Sequence, residues 1–204
     1  MLLKGDFGEL TKEQKAILAR SSENVEKLMT TIQDVLVMSH VEHYTYTFNS
    51  MDVQTIIKDV LQELEPEAQN KNVRVVWNDT DTAKTKVIAD RSKIYIVVEN
   101  LIENAIRYTN SGGTITITTA AEAEGVHLSF KDTGIGISLE DESKIFTRFW
   151  RGNNAMASYP HGSGIGLYVS KNIIDVHKGK LWFERGSDGG TIFHITLPYK
   201  PKES

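Results

Sequence analysis

A long amphipathic helix is predicted near the amino terminus, and a helix with one apolar stripe cannot be stable in isolation. Thr11 is a good N-cap, and Gln14 completes a capping box three residues later. No glycine or proline interrupts the span to Val41, so about 30 residues would form roughly 45 Å of helix. The apolar residues follow a heptad-like spacing, at Leu18, Val25, Leu28, Ile32, Val35 and Leu36.

This stripe needs a partner surface. Its spacing favours a helical bundle or a coiled-coil dimerisation element, formed with helices of this chain or of a second copy. The alternative is a helix packed on the globular remainder of its own chain. We therefore divide the chain into a helical segment, residues 1–44, and a second domain, residues 45–204.

The composition excludes several classes of protein. The chain has 204 residues, 40% of them hydrophobic and 25% charged, which is the balance of a soluble globular protein. Its net charge of −4 provides no basic field for nucleic-acid binding. The lack of cysteine excludes disulfides, a thiolate zinc site and a catalytic thiol. No apolar run approaches the ~20 residues that span a bilayer, and the first residues are too polar for a signal peptide.

Short strands and helices alternate after residue 44, which predicts one α/β domain. Helices are predicted over Val53–Gln69, Ser92–Thr109 and Gly166–His177. Pro66 is expected to kink or end the first of these helices, which Asn49 or Ser50 is expected to cap. Strands are predicted at Thr45–Phe48, Val73–Trp77, Val87–Ala89, Thr114–Thr119, Val126–Lys131, Lys180–Glu184 and Thr191–Leu197.

Two asparagines, Asn100 and Asn104, lie four residues apart and therefore share a face of the second helix. Val97, Leu101 and Ala105 form an apolar face beside them. Amides on an otherwise apolar helix are costly unless they bind something, and an amide oxygen is a hard ligand suited to Mg²⁺. The spacing alone leaves open that both amides are solvated or hydrogen-bonded within the core.

Two glycine-rich segments follow. Asp132-Thr133-Gly134-Ile135-Gly136-Ile137 ends a strand, where glycines let the backbone approach a flat ligand and the carboxylate can accept from an exocyclic amine. Gly162-Ser163-Gly164-Ile165-Gly166-Leu167 runs into a helix, whose first N–H groups can bind phosphates. Its G-x-G-x-G spacing is neither a dinucleotide fingerprint nor a Walker loop, so alone it is weak evidence for a nucleotide.

The segment between the two glycine boxes has two parts. Ile145–Gly152 is aromatic and basic, so Arg148 and Arg151 could reach a phosphate while the phenylalanines anchor the loop. The alternative is a short amphipathic helix with surface arginines. Asn153–Tyr159 is small, polar and poorly patterned, as expected of a mobile loop.

In order and spacing, these segments resemble the ATP-binding catalytic domain of sensor histidine kinases, within the superfamily of gyrase, Hsp90, histidine kinases and MutL. The resemblance covers about Phe48 to Pro198. It rests on an Asn-box at 100–109, a glycine box at 132–137, a Phe-box at 146–151 and a second glycine box at 162–167. It implies an α/β (α+β) two-layer sandwich of a mixed sheet and helices, the Bergerat ATP-binding fold, preceded by the long helix.

The resemblance also implies roles for individual residues. Asn104 should coordinate a Mg²⁺ ion that bridges the ATP phosphates, Asp132 should accept from the adenine amino group, and Arg148 should approach the γ-phosphate. Asn104 and Arg148 are therefore the implied catalytic residues. The other implied nucleotide-binding positions are Asn100, Arg107, Tyr108, Gly134, Gly136, Ile137, Phe149, Gly162, Ser163, Gly164, Ile165, Gly166, Leu167 and Thr191.

The chain departs from the family in two respects. Superfamily members that hydrolyse ATP have a Glu-x-x-x-Asn pattern, but here Asn100 precedes Asn104 by four residues. Glu99 and Glu103 are expected to project from different faces of the helix, so attack by water should be slow. None of the 6 histidines begins the phosphoacceptor motif of the family. The opening residues resemble the second half of the dimerisation and phosphotransfer hairpin, without its histidine-bearing first helix.

The resulting hypothesis is the catalytic core of a two-component sensor histidine kinase that cannot phosphorylate itself. The expected partners are ATP or ADP, a second copy bound through the N-terminal helix, a response regulator and a separate phosphoacceptor helix. Nucleic acid is not expected. A cytoplasmic location is expected, with a membrane anchor left open for other parts of an intact kinase. The rival hypothesis is a degenerate kinase that acts as a nucleotide-gated interaction module, and a serine-directed anti-sigma kinase is disfavoured by the long helix.

Replacing Leu28 and Ile32 together by alanine should weaken self-association, because burial of one such side chain contributes ~1.5–3 kcal/mol. One helix per chain offers a narrower seam than a four-helix bundle, so the expected dimer is weak and concentration-dependent. Sedimentation of both proteins over a range of concentrations measures this. A wild type that stays monomeric throughout contradicts the bundle, and equal dimers of both proteins would place the interface elsewhere.

Overall fold

The computed structural model describes residues 11–18, 20, 21, 25, 45–79, 85–160 and 162–201. After residue 44, the described strands are β1 (Asn49–Asp52), β2 (Arg74–Asp79), β3 (Lys86–Ala89), β4 (Thr114–Ala121), β5 (Gly125–Asp132), β6 (Lys180–Arg185) and β7 (Thr191–Pro198). The helices of the same region are α1 (Val53–Asn70), α2 (Arg91–Tyr108), α3 (Asn153–Ser158) and α4 (Gly166–Val176).

A mixed sheet has the strand order β2-β4-β5-β7-β6. The pairing of β2 with β4 is parallel, and the other neighbours are antiparallel. Alternate residues of a strand point to the same side, and one side of this sheet is apolar and buried, as shown by Ile115, Ile117, Leu128 and Phe130. Strands β1 and β3 form a separate antiparallel pair.

Helix α2 is the central element of the helical layer. It packs against α1 on one side and α4 on the other, and it also contacts β5. Its buried apolar residues are Ile94, Val97, Val98, Leu101, Ile102, Ala105 and Ile106. A mixed sheet covered by helices is the two-layer α/β sandwich implied by the sequence resemblance, and that prediction is confirmed.

Three local predictions need correction. The strand predicted at Thr45–Phe48 is wrong, since these residues have no regular secondary structure and β1 begins at Asn49. The rings of Tyr46 and Phe48 instead pack around His177, with centroids 5.7 and 5.0 Å from the imidazole. The N-cap of α1 is Asp52, not Asn49 or Ser50, which lie in β1. Of the two outcomes expected at Pro66, a kink or an end, the end is excluded, because the helix continues to residue 70. The other predicted elements lie within a few residues of their observed positions.

The N-terminal capping box is confirmed. Thr11 N donates to Gln14 Oε1 at 2.9 Å, and Gln14 N donates to Thr11 Oγ1 at 3.2 Å. Residues 12–18 are helical, and Val25 is 55% exposed. Leu28, Ile32, Val35 and Leu36 lie outside the described residues, so the stripe and the boundary after residue 44 stay predictions. Among the described helices, none has the length and apolar character needed to cross a membrane.

Asp90 joins three parts of the domain. Its Oδ1 caps α2 by accepting from Ser92 N and Lys93 N, at 3.0 and 3.3 Å, and its Oδ2 accepts from Thr47 N at 2.9 Å. Burial raises the pKa of Asp90, but these hydrogen bonds together outweigh it, so the pKa lies below the ordinary value. Asp90 N donates to His177 Nε2 at 3.0 Å, which connects α2 to the end of α4.

His177 is held as a neutral imidazole at this junction. It is buried, and its Nδ1 lies 2.7 Å from Ile173 O, so Nδ1 carries the proton and Nε2 accepts from Asp90 N. Protonation of Nε2 would remove that acceptor. Burial accordingly lowers the pKa of His177, although its contacts with Ile173 and Asp90 act in the opposite direction.

Substituting glutamine for His177 should destabilise the domain most at neutral and alkaline pH. The folded protein resists protonation of His177, whereas the unfolded chain takes up a proton near pH 6.5. The stability that His177 contributes is therefore present above about pH 6.5 and is lost as the pH falls below it. Urea unfolding at pH 8 should give a loss of about 1–3 kcal/mol that shrinks at pH 5.5. An equal loss at both pH values would contradict the neutral assignment.

Candidate functional site

A cavity of about 550 Å³ opens between α2, α4, the ends of β5 and β7, and the segment that joins β5 to α4. Most of the residues predicted as site residues line it. They are Asn100, Asn104, Arg107, Tyr108, Asp132, Gly136, Ile137, Gly162, Ser163, Gly164, Ile165, Gly166, Leu167 and Thr191. The tertiary structure thus brings both glycine boxes and the asparagine pair around one space.

Asp132 is a buried acceptor at the end of β5, only 5% exposed. Its Oδ1 accepts from Gly134 N at 2.8 Å and from Thr191 N at 3.2 Å. Both bonds end on one oxygen, so Oδ2 is the oxygen that can accept from a ligand in the cavity. Burial raises the pKa of Asp132 and the nearby Asp188 adds to this, while the two N–H bonds oppose it. The site therefore holds a carboxyl group in an environment that disfavours its charge.

The two asparagines of α2 form a hydrogen-bonded chain with α4. Asn100 Nδ2 donates to Ser170 Oγ at 2.9 Å, and Asn104 Nδ2 donates to Asn100 Oδ1 at 3.2 Å. This arrangement fixes the orientation of both amides and directs Asn104 Oδ1 away from the chain of bonds. A side-chain amide oxygen is a ligand that Mg²⁺ accepts beside phosphate oxygens, so Asn104 fits the metal role implied by the resemblance.

The second glycine box brings backbone close to the asparagines. A Cβ atom on Gly166 would lie 2.1 Å from Asn100 Oδ1, so a larger residue cannot be accommodated without displacing that amide. Gly164 has φ +73°, and a Cβ there would lie 2.6 Å from Trp150 O. Among the residues that the structure describes, no side chain caps the N-terminus of α4, where Ile165 occupies the N-cap position. The first N–H groups of α4 therefore face the cavity as donors for an anion.

Arg151 organises the segment that covers the cavity. Its guanidinium donates to Pro160 O at 2.8 Å and to Ala155 O at 3.4 Å, and also to Tyr159 O. These bonds hold α3 and the residues after it in a compact turn. The prediction of an unpatterned loop at 153–159 is wrong, because residues 153–158 form a short helix. Its predicted mobility stays a prediction.

Arg107 connects this segment to α2. Its guanidinium lies 4.5 Å from the centroid of the Tyr159 ring and forms an ion pair with Glu103. Arg107, Tyr159 and Arg151 all line the cavity. The two arginines provide positive charge near the uncapped end of α4, which is the charge that a polyphosphate requires.

Three predicted site residues do not line the cavity. Arg148 lies over the ring of Tyr168, 5.1 Å from its centroid, and donates to its hydroxyl at 3.4 Å. Phe149 is 57% exposed and has φ +63°. Gly134 supports the site from behind, because a Cβ there would lie 2.3 Å from Tyr108 O. The proposed roles of Arg148 and Phe149 stay predictions.

Glu99 and Glu103, which were expected on different faces of the helix, both line the cavity. Neighbouring helical positions differ by about 100°, and the cavity is wide enough to contact both stripes. Burial raises the pKa of Glu99, and Glu63 and Glu103 add to this effect. The spacing of the two glutamates, each one residue before an asparagine, was the signal that could have identified them.

A protein-family model described as histidine kinase-, DNA gyrase B-, and HSP90-like ATPase matches residues 89–201. The sensor histidine kinase WalK of Bacillus subtilis is 31% identical over 182 residues, which cover 87% of this chain and 30% of WalK. Histidine kinase P4 of Formosa agariphila is 31% identical over 190 residues, which cover 91% of this chain and 14% of that protein. The chain therefore spans a minor part of these curated relatives.

Solved structures show the same architecture. The catalytic domain of histidine kinase ThkA is 29% identical with a TM-score of 0.67, over 76% of this chain and 99% of that domain. ThkA in complex with the response regulator protein TrrA is 25% identical with a TM-score of 0.78, over 100% of this chain and 56% of that one. The mixed sheet, the helical layer and the cavity between them thus belong to an ATP-binding catalytic domain of histidine kinase type.

Changing Asp132 to asparagine should weaken ADP binding without lowering the stability of the ligand-free domain. The amide presents an N–H where the carboxylate accepts, so ADP affinity should fall by ~1.5–3 kcal/mol. Because the folded-state pKa of Asp132 is raised, its charge costs stability above the pH range in which it titrates. The ligand-free variant should therefore be at least as stable as wild type at neutral pH. Calorimetry with ADP and thermal unfolding measure the two effects.

Asp188→Asn is the matched control, since it removes an exposed carboxylate near Asp132 without changing the cavity. It should leave ADP affinity within about twofold of wild type. ADP affinity of wild type should also weaken as the pH falls through the raised pKa of Asp132. Unchanged ADP affinity in Asp132→Asn would remove this residue from the nucleotide site.

Proposed function

Because the chain belongs to the family of histidine kinase-, DNA gyrase B- and HSP90-like ATPases, we propose that it is the ATP- and Mg²⁺-binding catalytic core of a two-component sensor histidine kinase. The reaction is transfer of the γ-phosphoryl group of ATP to a histidine of a separate phosphoacceptor helix. The observation that carries this proposal is one cavity with a buried carboxylate at one side and an amide oxygen beside an uncapped helix N-terminus at the other.

The carboxylate and the helix end recognise opposite parts of the nucleotide in this proposal. Asp132 Oδ2 accepts from the exocyclic amine of adenine, while Gly134 N and Thr191 N hold Oδ1 in place. The N–H groups at the start of α4, with Gly164 and Gly166 allowing close approach, bind the phosphates. Arg107 and Arg151 supply positive charge on the same side. Both glycines are required because a Cβ would clash with Trp150 O or Asn100 Oδ1.

Asn104 is the proposed ligand of Mg²⁺ through Oδ1, which its bond to Asn100 orients. The metal would offset negative charge on the transferred group, as in other phosphoryl-transfer enzymes. Glu103 is ion-paired with Arg107, and Asn100 occupies the position of the glutamate in hydrolysing relatives. We therefore expect slow hydrolysis and transfer to a histidine nucleophile brought in from outside the cavity.

A response regulator and a second copy of the chain are proposed partners of the intact system. ThkA was crystallised with the response regulator TrrA, and the similarity covers 100% of this chain and 56% of ThkA. The self-association proposal rests on the heptad-like stripe of the N-terminal helix alone. The second candidate function is the degenerate kinase, favoured only by the missing acceptor motif, and the retained cavity argues against it.

The decisive experiment mixes the chain with [γ-³²P]ATP, with and without a phosphotransfer domain that carries the histidine motif. Label should appear only on the added domain. Nucleotide binding without any transfer, with several such domains, would favour the interaction module instead. Label on the chain itself would contradict the expectation that it lacks an acceptor.

Replacing Asn104 by aspartate should impair transfer more than ADP binding. The substitution keeps an oxygen ligand but adds charge beside the phosphates and loses the Nδ2 bond that orients the group. We expect the transfer rate to fall more than about tenfold, ~1.4 kcal/mol in the barrier. Asn70→Asp, an exposed change at the end of α1, is the control and should transfer at the wild-type rate. A wild-type rate in Asn104→Asp would refute the metal role.

A further inference from the structure

Three aromatic rings form a cluster on the face of the sheet that is turned away from the helices. His127 lies on β5, Trp182 on β6 and His194 on β7, where Trp182 is directly opposite His194. The indole plane lies within 8° and 13° of the two imidazole planes, at centroid distances of 5.6 and 4.9 Å. None of the three residues lines the nucleotide cavity.

The two imidazoles face each other edge to edge. His127 Nε2 lies 3.0 Å from His194 Nδ1, and the ring centroids are 5.2 Å apart with 21° between the planes. Rings stacked face to face with the same nitrogen separation would have much closer centroids. The two nitrogens therefore point at each other, and a single proton between them forms an N–H···N hydrogen bond.

Each outer nitrogen of the pair is near a carboxylate. His127 Nδ1 lies 3.3 Å from Glu122 Oε1, and His194 Nε2 lies 3.8 Å from Glu184 Oε1. His194 is 9% exposed, and its buried Nε2 has no hydrogen-bond partner within the described part of the chain. Glu184 Oε1 also accepts weakly from Trp182 Nε1 at 3.5 Å.

The proton count follows from this geometry. A neutral pair has two protons, and one of them must lie between the inner nitrogens. Only one outer nitrogen is then protonated, so the other presents a lone pair to a carboxylate. With one additional proton, the inner bond is made and both outer N–H groups face carboxylates. A fourth proton would place two N–H groups against each other and break the inner bond.

The charges around the pair are mixed. Glu122 follows β4, and Glu184 and Lys180 lie on β6 on the same face as Trp182. On β5, Lys131 is on this face too, but it pairs with Asp188 at 3.1 Å.

Glu124 and Lys178 lie with Glu122, Lys180 and Trp182 around a depression of about 480 Å³ beside the cluster. The carboxylates are nearest to the imidazoles, so the local field favours one positive charge on the pair.

We propose that His127 and His194 form a one-proton switch on the outer face of the sheet, capped by Trp182. When the pair holds one additional proton, His127 Nε2 donates to His194 Nδ1 and the outer His127 Nδ1–H faces Glu122. His194 keeps one proton on Nε2, towards Glu184. Burial lowers the pKa of His194, and His127 acts in the same direction while Glu184 opposes it. Binding of the fourth proton breaks the inner bond, so it takes place at a lower pH than binding of the third.

The test is a titration of the full chain labelled with ¹⁵N in histidine, followed by NMR of the ring nitrogens. His127 and His194 should both respond in one first transition, and His194 should gain its second proton at a pH lower by on the order of one unit or more, since such steps belong to the pair. In His127→Gln, the titration of His194 should move, because its neighbouring charge and inner partner are lost. In Trp182→Phe, the two linked steps should remain.

Two outcomes would overturn the proposal. One is independent titration of the two rings, with the His194 midpoint unchanged in His127→Gln. The other is absence of an inner hydrogen bond, seen as ring ¹⁵N shifts in which neither inner nitrogen is protonated. Far-ultraviolet circular dichroism and ADP binding of each variant would verify that the domain is folded, so that an altered titration reports on the pair.

Discussion

Burial of α2 between the sheet, α1 and α4 determines the position of most groups in the cavity. The buried apolar residues of this helix are at most 5% exposed, so its rotation about its own axis is fixed. Successive residues turn by about 100°, and fixing the apolar stripe therefore also fixes the stripe with Asn100 and Asn104. Lys71 holds the end of the helix by donating to Ile106 O at 2.9 Å and to Arg107 O. The position of the two asparagine amides is thus a consequence of core packing.

The cavity is also where the core contains groups that oppose stability. Asp132 is buried among apolar strands, and its raised pKa reports the cost of its charge. Two backbone N–H groups compensate only in part, and they leave the second oxygen for a ligand. A fold selected for stability alone would have a neutral residue there. The buried carboxylate is therefore consistent with the proposed recognition of an exocyclic amine by Asp132.

On the opposite side of the cavity, the positive charge comes from two arginines, and a bound ligand could replace their present partners. Arg151 donates to three backbone carbonyls, and Arg107 is shared between Glu103 and the ring of Tyr159. In the proposed function, phosphates would compete for both guanidinium groups, so we expect occupancy of the site to alter the arrangement of residues 153–160. The strands β5 and β7, which hold Asp132 and Thr191 together, also carry the two histidines of the outer face.

Most of the strands and helices could be predicted from the sequence alone, because strand alternation, helix periodicity and capping act over a few residues. The capping box at Thr11 was identified on this basis, whereas the Asn-box, both glycine boxes and the two-layer fold were assigned from their resemblance, in order and spacing, to a known family. Residue roles such as those of Arg148 and Phe149 rest on resemblance and stay untested. The strand predicted at Thr45–Phe48 failed because aromatic packing around His177 outweighed local β propensity.

Only the tertiary structure decided which distant groups meet. Thr191 N bonds to Asp132, 59 residues away, and the two facing histidines are 67 residues apart. The pairing of β5 with β7 sets both contacts, and a change of register by one residue would turn every side chain of a strand to the other face. The contact of Glu99 and Glu103 with the cavity could not be predicted from the sequence either, because it depends on the width of the cavity. Local sequence carries no record of strand register or cavity width, because both arise from packing between elements that are far apart in the chain.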